Sequence, residues 1–201
     1  MGKEKGGRPL HTFIRLKNYM TENETEQVIT ATKNWVSNVV VGCNFCPFAA
    51  KEVKKGSIQY IVLDQATLKT TLEAVVRAML QLDRDDSIET TLLILPGSFL
   101  LFNDYLNMLD KAETLLDQEN YSGIYQMASF HPTYLFAGSN NEDPSNYTNR
   151  SPYPMLHLLR ESSITKAVDS YPGIDEVPQR NIAFTKEKGL LYMQQLMNEK
   201  V

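Results

Sequence analysis

The sequence predicts an α/β protein: a small, parallel three-stranded sheet flanked by helices, with a helical C-terminal third. Three observations predict it. Runs rich in β-branched and aromatic residues at 57–63, 89–95 and 121–130 read as strands. Amphipathic stretches at 66–82 and 101–118 lie between them. The second run is apolar at consecutive positions (Thr91–Leu95, TLLIL), as in a strand covered on both faces. Strand, helix, strand, helix, strand at this spacing is the pattern of parallel βαβ units. A ferredoxin-like α+β arrangement, with one strand antiparallel, is the alternative.

Each element has its own warrant. Thr21 followed by Glu24 forms a capping box, and Val28, Ile29, Trp35, Val36, Val39 and Val40 then recur on one helical face until Gly42. Cys43 and Cys46 fall in the loop just beyond. Ser57–Leu63 is the first strand, with Asp64 a candidate cap for the helix Ala66–Leu82, whose stripe is Leu68, Leu72, Val75, Val76 and Met79. Glu89–Leu95 is closed by Pro96 and Gly97. Leu101–Gln118 buries Tyr105, Met108, Leu109, Ala112, Leu115 and Leu116, and the third strand, Tyr121–Phe130, runs into His131 and Pro132. Ser151 and Pro152 open a short helix to Ser162, a serine cap with proline in the first turn. A last helix starts at Thr185. No repeat or linker interrupts the chain, which reads as a basic N-terminal tail over residues 1–20 and one α/β domain over 21–201.

Composition excludes several classes. A net charge of −4 without a long basic run gives no bulk attraction to nucleic acid or to acidic membranes. No apolar run approaches the roughly 20 residues of a membrane span. The tail lacks the apolar core of a secretory signal, so the expected compartment is the cytoplasm and the two cysteines are expected to be reduced. The partner expected is a small anionic molecule.

The polar chemistry concentrates between Tyr125 and Glu161. The stretch from His131 to Ser151 has little periodicity, and long irregular connections in compact domains are often functional. It also follows the carboxyl end of a strand, where open α/β sheets bind ligands. On the expected helix His157 and Glu161 stand four apart and share a face, so the carboxylate either orients the imidazole or forms an ordinary surface pair. Cys43-x-x-Cys46 admits four readings: half of a metal site completed by His131 and His157, a redox pair, a nucleophile with a histidine base, or two small buried hydrophobes. Arg150 and Arg160 suit a carboxylate or phosphate, or else pair with Asp143 and Glu161.

These motifs together resemble a bacterial family without an assigned activity, domain-of-unknown-function family fourteen-fifteen. The resemblance rests on Trp35, on Gly42-x-Asn44-x-Cys46-Pro47-Phe48-Ala49 and on Tyr125-Gln126-x-Ala128-Ser129-Phe130-His131-Pro132. It continues through Asn146-Tyr147-Thr148-Asn149-Arg150-Ser151-Pro152-Tyr153-Pro154, His157-Leu158-Leu159-Arg160-Glu161 and Pro178-x-Arg180-Asn181. It implies that Cys46, rather than Cys43, carries the thiol. The expectation is then an enzyme for a small anionic substrate, with Cys46, His131, His157 and Glu161 catalytic and Asn149, Arg150 and Arg160 binding substrate. Cys46, His131 and His157 would be the ligands of any zinc or iron. The alternatives are a non-catalytic metal- or ligand-binding module, and a purely architectural polar network.

Overall fold

A computed structural model describes residues 20–171 and 173–199. The basic tail, with His11, lies outside the described residues.

The sheet has four strands, and it is mixed. Ile58–Val62 (β1), Thr90–Ile94 (β2) and Tyr125–Phe130 (β3) form where expected, but Met155–Arg160 is a fourth strand, β4, and the order is β1-β2-β4-β3. β1 and β2 pair in parallel, while β4 runs antiparallel to both β2 and β3. The first three strands therefore do share one direction, as βαβ units require, but β4 separates β2 from β3. The helix expected over 151–162 is not formed. Its residues alternate: Leu156 and Leu158 enter one apolar cluster and Met155 the other, so the segment is buried on both faces like a central strand. Ser151, the expected cap, instead donates its hydroxyl to the Tyr153 carbonyl at 2.6 Å.

Helices cover both faces. On one side Leu68–Arg84 (α3) and Phe102–Gln118 (α4) pack Val75, Met79, Leu82, Tyr105 and Met108 onto Leu93, Leu156 and Leu158. Thr67 caps α3 in place of Asp64, whose carboxylate takes the Met20 N–H at 2.8 Å. On the other side Glu22–Trp35 (α1) opens on the expected capping box at Thr21 and Glu24. It continues as a π-helix over Val36–Val41 that packs Val36 and Val39 against Leu92, Ile94 and Met155. Gly42 ends it for a steric reason, since a β-carbon there would stand 2.2 Å from the Asn38 carbonyl oxygen. Ala49–Lys55 (α2) leads into β1, and Glu161–Ser170 (α5) follows β4 directly.

The last helix, Val177–Glu199 (α6), is kinked at Gly189, whose φ of 79° and ψ of 165° belong to a region essentially confined to glycine. The kink gives α6 two tasks. Residues before it grip the cysteine loop, and residues after it pack on the turn at Pro144–Thr148. Among the described residues no helix is long and apolar enough to cross a membrane.

Candidate functional site

The irregular segment after β3 is held together by its own polar side chains. His131 is fully buried, packed against the stacked rings of Phe102 and Tyr105. Its Nε2 lies 3.0 Å from the Phe99 carbonyl, which can only accept, and its Nδ1 accepts the Thr133 N–H at 3.1 Å. The network thus assigns the Nε2–H tautomer. Both nitrogens are occupied, and burial pushes the pKa below the ordinary histidine value. This ring is a neutral strut rather than a base or a ligand.

Asn146, completely buried, does the same for the loop. Its Oδ1 accepts the Phe136 N–H at 3.0 Å and lies 2.9 Å from Ser139 Oγ, while its Nδ2 donates to the Asn140 carbonyl at 2.8 Å. Asn149 donates to the Ser129 carbonyl at 3.2 Å. Trp35 ties the loop's end to α1 by donating Nε1–H to the Arg150 carbonyl at 3.0 Å and meeting Phe130 edge to face. Asn149, expected to bind substrate, and His131, expected to be catalytic, thus direct these polar atoms to the chain itself.

Arg160 is likewise occupied. Its guanidinium donates to the carbonyls of Leu82 (2.6 Å), Ile88 (3.0 Å) and Asp85 (3.3 Å), closing the C-terminal end of α3, with the Tyr125 ring beneath it. A cation at a helix C-terminus is stabilised by the exposed carbonyls and the helix dipole.

His157 sits on β4, opposite Leu92 and Ala128. Thr90 Oγ1 donates to the Leu158 carbonyl, so it accepts from His157 Nε2–H, 2.6 Å away. Nδ1 makes no hydrogen bond among the described residues, and burial pushes the pKa down to about 4. Because β4 is a strand and Glu161 begins α5, the expected helical pair of His157 and Glu161 does not exist.

A pH dependence follows. Above pH 6.5 the ring is neutral in folded and unfolded chains alike; below it only the unfolded chain takes the proton, so stability falls from pH 6.5 to about 4. One such histidine accounts for up to about 3 kcal/mol, and His131 shifts in the same direction. Urea unfolding at pH 7 and pH 4.5 is expected to show a clearly smaller loss in His157→Gln than in the parent chain. Equal losses would contradict it.

The cysteine loop lies on the same side of the sheet as His157. Both thiols are free and half-buried, and Cys43 packs into the cluster that holds Trp35 and Met155, where burial raises its pKa. Arg180 donates to the carbonyl of Asn44, which is left-handed at φ 54°, and Asn181 donates to the Phe45 carbonyl at 2.8 Å. The loop is therefore fixed by α6 rather than by chemistry among its own thiols.

A metal centre of Cys46, His131 and His157 is not formed. His131 packs on the α3–α4 side of the sheet and His157 on the side of Met155 and Phe130. Among the described residues no three His, Cys, Asp or Glu side chains converge as metal ligands. The donor set expected for zinc or iron does not fit.

The family model of a protein of unknown function, DUF1415, matches residues 27–195. The chain belongs to this family. No curated protein and no solved structure matches it.

Among the expected site residues of this DUF1415 chain, Arg150 lines a surface groove. Its Nε donates to the Tyr134 carbonyl (3.3 Å) and its Nη2 to that of Asn141 (3.1 Å), with the guanidinium lying 4.5 Å over the Tyr147 ring. Nη1 makes no hydrogen bond among the described residues. Arg150 lines a groove of about 540 Å³ between Pro132, Ser151 and Pro152 on the loop and Gln194, Met197 and Asn198 on α6. Sequence reasoning missed the α6 wall. The wall is set by the Gly189 kink, and the polar positions 194 and 198, four apart, were the available clue.

Proposed function

We propose that the protein binds a small anionic molecule in this groove, with Arg150 as the anion's partner. The observation that carries the reading is the state of the guanidinium. Two carbonyls and the Tyr147 ring fix its plane, and Nη1 makes no hydrogen bond among the described residues, in a side chain that lines the groove. A pre-positioned guanidinium loses little freedom on binding, which is what favours arginine at anion sites. The groove contains neither cysteine nor histidine, so the geometry supports a binding protein over the Cys–His enzyme.

The catalytic reading keeps one observation in its favour. His157 Nδ1 makes no hydrogen bond among the described residues, and it lies on the side of the sheet that carries the cysteine loop.

Gln194 is exposed, so Gln194→Glu places a carboxylate in the groove without touching the core. Anion binding, followed by isothermal titration, is expected to weaken about tenfold in that variant, one charge being worth roughly 1 kcal/mol or more at a few ångströms near the surface. Thermal stability is expected to be unchanged. Unaltered affinity would remove the groove from consideration.

A further inference from the structure

We infer that the ligand of this groove is a monocarboxylate carrying a compact apolar body, rather than a phosphate or a bare inorganic anion. The inference rests on the anion-binding reading above. It follows from what the lining offers and what it lacks.

Charge comes first. Arg150 is the one cation among the described lining residues, and no acid lies among them, so the groove balances a single negative charge. A phosphate ester, with close to two charges at neutral pH, would keep one uncompensated.

Donors come second. Phosphate sites are built from several converging N–H groups, often successive backbone amides. Here Pro132 and Pro152 supply no N–H, and the Ser151 hydroxyl is spent on the Tyr153 carbonyl at 2.6 Å. What remains is Arg150 Nη1, the Tyr147 hydroxyl and the side-chain amides of Gln194 and Asn198, enough for the two oxygens of a carboxylate.

Shape comes third. The volume, about 540 Å³, lies in the range of organic-ligand sites and far exceeds a carboxylate alone. Pro132, Pro152 and Met197 give the groove apolar walls, which a bare ion would leave in water. Methionine adapts to differing apolar shapes.

The test compares probes that differ in one feature each: benzoate, phenyl phosphate and acetate, titrated calorimetrically into the full chain in an anion-poor buffer. Benzoate is expected to bind at least about tenfold more tightly than either of the others, and to bind about tenfold more weakly in Gln194→Glu. Phenyl phosphate binding as well as benzoate, or better, would overturn the inference while leaving an anion groove in place. Acetate equal to benzoate would overturn the apolar body. No saturable binding of any of the three would overturn both the inference and the reading beneath it.

Discussion

Asn146→Ala is expected to cost about 3 kcal/mol of unfolding free energy, among the largest effects of any single polar substitution in this chain. The side chain is fully buried, and its removal leaves the Phe136 N–H without its partner and takes one of two donors from the Asn140 carbonyl, which keeps the Asp143 N–H. Each buried orphan costs about 1–3 kcal/mol. The damage would spread, because the Asn146 carbonyl also accepts from the backbone of Asn149 and Arg150, and Arg150 lies at the groove. Urea denaturation measures this directly as a lower midpoint. A loss below about 1 kcal/mol would mean that the loop is held by something other than this amide.

Arg160→Met is expected to be nearly as severe, at about 2–3 kcal/mol, since hydrogen bonds from a charged donor contribute more than neutral ones. Nη2 reaches the carbonyls of Leu82, Asp85 and Ile88 while Nε also donates to Ile88, a planar two-nitrogen fork that the ammonium of a lysine does not reproduce. Arg160→Lys should therefore recover less than half of the loss. A substrate-binding arginine would behave in the opposite way, with stability intact in both variants. The same urea series distinguishes the two.

Much of the fold was legible because it depends on periodicity. The stripes of α3 and α4, the capping box at Thr21 and Glu24 and the three co-directional strands all follow from spacing in the chain. β4 was not legible. Residues Met155–Arg160 are apolar at nearly every position, and a short apolar run cannot be assigned to helix or strand by period alone. Ser151 and Pro152, a sound helix opening in isolation, tipped the reading the wrong way. That one misassignment also created the His157–Glu161 pair, which existed only on a helix.

The candidate site was legible in its residue types but not in its assignments. His131, Asn149 and Arg160 carry the groups that bind ligands, yet here those groups bind carbonyls and amides of the chain itself. Main-chain groups leave no mark in a sequence, so an arginine that closes a helix and an arginine that receives an anion look alike. Among the described residues every buried side-chain nitrogen and oxygen has a hydrogen-bond partner. Arg150 differs because the Gly189 kink brings the end of α6 opposite it, a juxtaposition of residues more than forty positions apart.

On the proposed reading this protein meets its ligand in the groove and not at the cysteine loop. The most direct test is a benzoate titration of the isotopically labelled chain followed by two-dimensional amide and arginine side-chain NMR. The account predicts saturable shifts at Tyr147, Arg150, Ser151, Gln194 and Asn198, with the Arg150 guanidinium among the largest and the loop at Cys43–Cys46 quiet. Shifts centred instead on Cys46 and His157, with Arg150 unmoved, would contradict it and return the function to thiol and imidazole chemistry.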